Sequence, residues 1–219
     1  MSKISSSPNP TIVDAASLFY ASEVIADRVG RKVTVDYAKL REVLDSFRSQ
    51  HGWRPASVNM ALLSIDPASE GQQRFQSMLR HSGFEPDVIH YRDAFVSLPP
   101  GRSLTELRGD SIVSLCPRIA YIAGLMARHP DPHFLVVSHS FELFWPLVDL
   151  TDRIGQKGEV GIAYFGSLMD YRWKSTGLFD DKLNLTFFDL DPYGNEILGV
   201  DLIGRPNTTA NGRSGLSRF

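Results

Sequence analysis

Five short apolar runs alternate with helix-like stretches, and this alternation limits the fold of the chain more than any other feature. The runs occupy residues 11–14, 57–66, 86–92, 133–138 and 159–166. Between them, apolar side chains recur at helical spacing, as in residues 34–48, where Thr34 is the expected N-cap. Strands separated by helices are typical of βαβ units, whose parallel sheet is covered on both faces. The pattern therefore predicts an α/β three-layer sandwich with a mainly parallel five-stranded sheet.

The ends of the chain predict different local structure. Two β-rich runs flank residues 192–195 (Pro-Tyr-Gly-Asn), a turn-forming sequence that favours a C-terminal β-hairpin. Residues 1–10 are polar and rich in Pro and Ser, and residues 204–219 are rich in Gly, Asn, Ser and Thr. We therefore expect a flexible lead-in over 1–10, one domain over 11–203 that includes the hairpin, and a disordered tail over 204–219.

Composition excludes several classes of function. The formal net charge of -2 lacks the basic footprint of a strong non-specific nucleic-acid binder, so nucleic-acid contacts must come from a local patch or through a metal. The one cysteine, Cys116, excludes an intramolecular disulfide and a zinc cluster built from cysteines. The sequence has neither the apolar core of a signal peptide nor a run of about 18 apolar residues. We therefore expect a cytoplasmic protein without membrane contact.

Polar residues that directly follow the predicted strands are the candidate site residues, because ligands of parallel α/β sheets bind beyond the carboxyl ends of the strands. They include Asp14 and Ser17 after the first strand, and the run from Ser138 to Glu142 after the fourth. Such residues also commonly cap the next helix. That alternative applies least to Asp14, since an unpaired carboxylate at the end of an apolar run is costly.

Three blocks of the sequence, taken in order, carry a family resemblance. They are TIVDAASLFYAS from Thr11, SIDPASEGQQRFQSMLRHSGFEPDVIHYRD from Ser64 and HFLVVSHSFELFWPLVDLTDRIGQKGEVGIAYFG from His133. They resemble the LabA-like NYN domain family of the PIN-like nuclease superfamily. The first block is similar to the family's first motif, an apolar strand that ends in a metal-binding aspartate; the second resembles its second strand–helix–strand unit, and the third its third block. The resemblance covers roughly residues 10–170 and implies a PIN-like fold.

The first motif and the helix before the third block differ from the family pattern. Asp14 matches the family's first metal-binding acid, whereas Ser17 stands where the family usually has Asn. In the family, a Lys and an Asp stand at the start of the helix that precedes the third block. In this chain Asp110 lies just before that region, and Arg118 occupies the helix.

The third block has also lost part of the family's acidic site. Ser138 matches the family serine, and His139 replaces a glycine. Ser140 stands at the first aspartate of the family motif and Glu142 at the second. One acid is therefore lost, and one is exchanged for its longer homologue.

The resemblance implies a metal-dependent site that cleaves RNA. Its carboxylates would hold Mg²⁺ or Mn²⁺, which neutralises the scissile phosphate and lowers the pKa of an attacking water. Asp14 and Glu142 are then the expected catalytic residues and metal ligands, with Asp110 as a further candidate ligand. The expected substrate contacts are Ser17, Ser138, His139, Ser140 and Arg118.

Two hypotheses remain open from the sequence. In the first, the protein is a divergent phosphodiesterase that acts on RNA, which the retained Asp14 and the acid at Glu142 favour. In the second, the same pocket binds RNA, a nucleotide, a protein partner or a second copy of the chain without cleavage. The missing acids favour this second hypothesis.

Overall fold

The computed structural model of the chain describes residues 9–65, 70–90, 132–154, 158–168 and 185–203. Within them six strands form one sheet, one strand more than the sequence predicts. Every neighbouring pair is parallel, and the order is β3-β2-β1-β4-β5-β6. The strands are β1 (Pro10–Asp14), β2 (Val58–Ile65), β3 (Glu85–His90), β4 (His133–Val137), β5 (Glu159–Tyr164) and β6 (Leu185–Asp189). The predicted α/β fold with a parallel sheet is confirmed.

Helices connect and cover these strands. They are α1 (Ala15–Val29), α2 (Tyr37–Gln50), α3 (Glu70–His81), α4 (Phe144–Ile154) and α5 (Gly194–Leu198). α1 follows β1 without a loop and ends at Gly30, whose φ of 67° is readily adopted by glycine. α2 is capped by Asp36, whose side chain accepts a hydrogen bond from the Lys39 N–H. The predicted N-cap at Thr34 is therefore wrong, because the carboxylate of Asp36 takes the capping role directly before the first buried turn.

The predicted C-terminal hairpin is also wrong. β6, the first expected arm, lies parallel to β5, with Leu185 opposite Val160. The expected second arm is helical, because a 3₁₀ turn leads directly into α5. Pro192 lies in the first turn of that 3₁₀ helix, where its missing N–H is tolerated. Ile197 and Leu198 are both buried, unlike successive residues of a strand with one solvent face.

Apolar side chains cover both faces of the sheet. On one face, α1, α2, α3 and α5 pack on strand residues that include Val13 and Val137. On the other face, Leu147 of α4 packs with Ile12 and Val136. Neighbouring residues of one strand enter opposite clusters because side chains alternate across a strand. Burial on both faces explains why the strands read as nearly continuous apolar runs.

One buried arginine near the end of α2 ties three segments together at the amino edge of the sheet. Arg48 is 1% exposed, and its burial lowers the pKa of the guanidinium to about 10. Nη2 donates to the carbonyls of Pro10 (2.8 Å) and His133 (3.5 Å). Nη1 donates to the carbonyl of Arg54 (3.2 Å), and Nε donates to Oγ1 of Thr11 (3.1 Å). Arg48 thus joins the starts of β1 and β4 to the segment before β2.

The fold begins slightly earlier than the predicted boundary at residue 11. β1 starts at Pro10, and Asn9 is buried, with its side-chain oxygen accepting from the N–H of His133. Residues 1–8, the predicted tail over 204–219 and the segment that contains Cys116 lie outside the described residues. Within the described ranges, no helix combines the length and apolarity that crossing a membrane requires.

Candidate functional site at the carboxyl edge of the sheet

β1 and β4 are neighbours in the middle of the sheet, and the order of the strands reverses between them. The chain builds the sheet outward from β1 through β2 to β3, and then returns to the other side of β1 for β4, β5 and β6. Ligands of open α/β sheets bind at such a switch point, beyond the carboxyl ends of the strands. Asp14 ends β1 and Ser138 follows β4. The structure therefore brings the sequence-predicted residues of the two strands together at this point.

Asp14 is the acidic group at the switch point, and it is 1% exposed. Its Oδ1 accepts from the N–H of Ser17 (3.0 Å), which makes it the N-cap of α1. Its Oδ2 accepts from the hydroxyl of Ser138 (2.9 Å), which in turn accepts from the N–H of Ser140 (3.1 Å). Burial raises the pKa of Asp14 to about 6, although these hydrogen bonds favour the charged form.

His139 connects the end of β4 to α1 and β5. Its Nε2 accepts from the N–H of Phe165 (2.9 Å), and its ring stacks on the Phe165 ring at 5.7 Å. The neutral ring therefore carries its hydrogen on Nδ1, which lies 3.1 Å from Oγ of Ser17. The backbone N–H of His139 also donates to that oxygen (2.8 Å). Burial lowers the pKa of His139 to about 4, so the ring stays neutral at physiological pH.

The hydrogen bonds of Ser17 decide what this pair of side chains does. Oγ of Ser17 accepts two hydrogen bonds from His139, which fill its lone pairs and leave its own hydrogen to donate. His139 has no free lone pair on Nδ1 and therefore does not act as a base toward Ser17. The arrangement presents a fixed hydroxyl donor at the switch-point crevice, the surface beyond Asp14 and Ser138 at the ends of β1 and β4. This suits binding of a ligand oxygen and does not suit nucleophilic attack by serine.

Three predicted site residues are not placed by the described structure. Asp110 and Arg118 lie outside the described residues. Glu142 lies in a 3₁₀ turn (Phe141–Leu143) between β4 and α4, but its side chain is likewise outside the described part. Asp14 is therefore the one predicted acidic ligand whose side chain lies in the described part of the chain.

Mg²⁺ and Mn²⁺ require several oxygen ligands that converge on one point. Within their ranges, no three His, Cys, Asp or Glu side chains converge on a metal site. Both oxygens of Asp14 already accept hydrogen bonds. Mg²⁺ held by one carboxylate keeps most of its waters and depends on substrate phosphates. The described residues therefore fit a divalent ion that arrives with a phosphate ligand, and they do not fit a preformed metal centre.

Gly166 and Ser167, which follow the fifth predicted strand, belong to a second polar group on the same edge, whose acids Asp189 and Asp191 sequence reasoning missed. Oδ1 of Asp189 accepts from the N–H groups of Gly166 (3.0 Å) and Asp191 (2.9 Å). The carboxylate of Asp191 accepts from the N–H (2.7 Å) and the hydroxyl (3.1 Å) of Ser167. Burial, and then the charge of Asp189, raise the pKa of Asp191. The available signal was the Asp-Leu-Asp-Pro sequence at the end of a β-rich run.

Asp14 and His139 give the site an opposing pH dependence. The pKa of Asp14 is about 6 in the folded chain, against 3.8 for an ordinary aspartate, so folding favours the protonated acid. Asp14 therefore stabilises the fold fully below about pH 4, and this stabilisation is lost as the pH rises through 6. The pKa of His139 is about 4 in the folded chain, against 6.5 for an ordinary histidine, so folding favours the neutral ring. His139 therefore stabilises the fold fully above about pH 6.5, and this stabilisation is lost as the pH falls through 4. Each contribution corresponds to about 3 kcal/mol.

We expect single replacements to unmask these two contributions. In His139→Gln, the pH dependence that Asp14 contributes is no longer offset by His139. The free energy of unfolding of this variant, relative to wild type, should therefore rise by up to about 3 kcal/mol when the pH is lowered from 7 to 4.5. The free energy of unfolding of Asp14→Asn, relative to wild type, should fall by a similar amount over the same pH interval. Urea unfolding at several pH values measures both differences. Parallel pH profiles for wild type and both variants would show that neither group carries the proposed shift.

Comparison with known proteins bears on the fold. No protein-family model matches this chain, and no curated protein matches it. The chain is similar to the crystal structure of a protein of unknown function from Vibrio parahaemolyticus, with a TM-score of 0.60 and 16% sequence identity over 90% of this chain and 99% of that one. At this identity, the likeness shows a shared α/β fold alone.

Proposed function

We propose that this protein is a divergent PIN-like module that binds single-stranded RNA at the switch-point crevice, with metal-dependent phosphodiesterase activity weak or lost. The single observation that carries the proposal is the state of Asp14. Its carboxylate is buried, and each of its two oxygens accepts a hydrogen bond, one from the start of α1 and one from the residue after β4. A group in this state positions the crevice, and it is a poor metal ligand until those hydrogen bonds are exchanged.

Two exposed aromatic side chains on α1 support a ligand with bases. Phe19 is 56% exposed and Tyr20 is 49% exposed. Tyr20 lies three residues after Ser17, so the two project from the same face of the helix. Aromatic rings stack on bases with little sequence preference, as single-stranded nucleic acids require. Ser17 then supplies a hydroxyl donor for a phosphate or a 2′-hydroxyl.

The charges along the edge suggest the path of such a ligand. Arg28 at the end of α1 donates to the carbonyl of Ser167 after β5, so α1 runs beside the carboxyl edge. Arg31 and Lys32 follow α1 and are exposed. Asp189 and Asp191 make the edge beyond β5 acidic, which repels phosphate. Arg28 faces Asp191 electrostatically, so the acidic group reaches the end of α1. We therefore expect the RNA backbone to follow the first turns of α1, from Ser17 to Tyr20, instead of β6.

A protein partner is the second candidate ligand of the same crevice. The exposed ring of Phe19 favours it, because large exposed aromatic groups also anchor protein interfaces. Another protein or a second copy of this chain would bury Phe19 without needing the donor on Ser17. The two candidates therefore differ in their dependence on Ser17.

We expect the double replacement Phe19→Ala with Tyr20→Ala to weaken binding of a labelled single-stranded RNA at least about tenfold, because stacking contributes about 1–3 kcal/mol per base. Ser17→Ala should weaken it about fivefold through the lost donor. Fluorescence anisotropy at fixed low salt measures both. Met78→Ala, on an exposed apolar side chain of α3, is the matched control and should leave the affinity unchanged.

The outcome also separates the two candidate ligands. RNA binding that is absent in wild type, or equal in wild type and the aromatic double variant, would contradict the RNA proposal. A wild-type dimer, seen by analytical ultracentrifugation, that dissociates on Phe19→Ala and persists on Ser17→Ala would instead support the protein partner.

A further inference from the structure

Beyond the turns that carry Ser17 and Tyr20, the exposed surface of α1 is acidic. Phe19, Glu23 and Asp27 recur every four residues, so they lie along one ridge of the helix, about 12 Å long. All three side chains are exposed. Neither carboxylate forms an ion pair or a hydrogen bond with any described residue. This acidic ridge (Phe19, Glu23 and Asp27) therefore offers two unpaired carboxylates in line with an exposed ring.

The arginines at the end of α1 do not neutralise the acidic ridge. Arg28 donates to the carbonyl of Ser167 (3.5 Å), and its charge acts on Asp191. Arg31 donates to the carbonyl of Gly199. Both guanidinium groups are therefore held by other elements of the fold, and the two carboxylates of the ridge remain without a paired counter-charge in the described ranges.

The sequence of residues 204–219 has the complementary charge. It contains three arginines, Arg205, Arg213 and Arg218, and no acidic residue. When these three charges are taken from the total of -2, the rest of the chain carries a formal net charge of -5. A basic segment is attracted to unpaired carboxylates on an acidic domain. Arginine also stacks on aromatic rings, so it suits both kinds of group on the ridge.

This basic segment begins close to the acidic ridge. The hydrogen bond from Arg31 to the carbonyl of Gly199 places the residue after α5 at the end of α1. Ile203, the last described residue before the segment, follows Gly199 by four residues, which is at most about 14 Å of chain. Residues 204–219 span up to about 50 Å when extended. They are therefore long enough to return along the whole ridge as far as Phe19.

We propose that residues 204–219 dock on the acidic ridge of the same chain, with arginine side chains that pair with Glu23 and Asp27 and stack on Phe19. Exposed ion pairs and cation–π contacts are individually weak. The docked state therefore depends on the tether, which holds the segment near the ridge at an effective concentration of about 1 mM. The docked segment shares the ring of Phe19 with the RNA crevice, so RNA should release it. That release is the one consequence that rests on the proposed function.

Trypsin cleavage after Arg213 in the full chain measures docking, because a docked site is cut only when it opens. A trace of isotope-labelled peptide of residues 204–219 in the same digest gives the rate for the free segment. At low salt we expect the wild-type chain to be cut about fivefold more slowly than the peptide. Glu23→Gln with Asp27→Asn should bring the rate of the chain to within about twofold of the peptide.

Glu42→Gln with Glu70→Gln is the matched control. It removes two exposed acids, one on α2 and one on α3, and changes the net charge by the same amount. This control should be cut as slowly as wild type, and circular dichroism confirms that all variants are folded.

Equal cleavage rates for the wild-type chain and the peptide overturn the proposal, as does equal protection in the Glu23 and Asp27 double variant and in wild type. Protection that grows with the concentration of the chain also overturns it, because the segment would then dock on a second copy. Single-stranded RNA should speed cleavage of wild type after Arg213. Protection that depends on Glu23 and Asp27 but does not respond to RNA supports the docking and counts against the RNA site alone.

Discussion

Replacing Arg48 by methionine is expected to lower the free energy of unfolding by about 3 kcal/mol. Methionine matches the stem of arginine up to Nε and carries no donor, so the carbonyls of Pro10, Arg54 and His133 and the hydroxyl of Thr11 lose their donors. At about 1.5 kcal/mol for each acceptor, the loss is about 6 kcal/mol. The variant also avoids the cost of burying the guanidinium. The pKa of Arg48 is about 10, against 12.5 for an ordinary arginine, which corresponds to a cost of about 3 kcal/mol.

Urea and thermal unfolding measure this change. For a domain of this size, 3 kcal/mol corresponds to a fall in Tm of about 10 °C. Arg74→Met is the matched control. It removes an exposed arginine whose ion pair with Glu70 contributes little, so its stability should stay within about 0.5 kcal/mol of wild type. An Arg48→Met variant as stable as Arg74→Met would show that water satisfies these acceptors and that Arg48 does not hold the amino edge together.

Arg48 also shows what the sequence reveals about the buried structure. It lies four residues after Leu44 and one after Phe47, so it falls on the buried face of α2. An arginine on an apolar helical face is a detectable signal. Its partners are not detectable, because they are backbone carbonyls at the starts of β1 and β4 and in the segment before β2, which become neighbours when the sheet forms.

β1, β2, β4 and β5 could be predicted because each is an apolar run buried on both faces. β3 was also recognised, although it lies at the edge of the sheet and its Val88 is partly buried. β6 could not be assigned, although its apolar run was recognised. Leu185 to Phe188 are all partly buried, as expected at an edge, and such a run suits either strand direction. Its parallel direction is seen in its pairing with β5, and the periodicity of the sequence does not encode which strand it pairs with.

The position of the candidate site was predictable for a topological reason. Polar residues after two strands of a parallel sheet meet whenever those strands are neighbours, and β1 and β4 are. The roles within the site were not predictable. Ser17 was expected to contact substrate through its place in the motif, whereas its geometry depends on His139 and, through that ring, on Phe165. A network of this kind depends on distances that no spacing in the sequence encodes.

Any metal-dependent cleavage of RNA by this protein is expected to fall at least about a hundredfold on Asp14→Asn, because metal, water and phosphate positioning depend on the same carboxylate. The fold should survive the change. Asparagine keeps an oxygen for the N–H of Ser17, and the hydroxyl of Ser138 turns from donor to acceptor. Removal of a buried charge at neutral pH should even raise the stability, by up to about 3 kcal/mol.

Asp36→Asn is the matched control, because Asp36 also caps a helix through Oδ1, at the same 3.0 Å, but is exposed at the start of α2. Wild type, Asp14→Asn and Asp36→Asn are incubated with single-stranded RNA and Mn²⁺, and cleavage is followed on denaturing gels. Slow cleavage in wild type and Asp36→Asn that disappears in Asp14→Asn assigns a weak nuclease to the crevice. If all three proteins leave the RNA intact, and wild type and Asp14→Asn bind it equally, the protein is a binding module that has lost the cleavage activity. Equal cleavage by wild type and Asp14→Asn contradicts both assignments, because the activity would then arise away from the switch point.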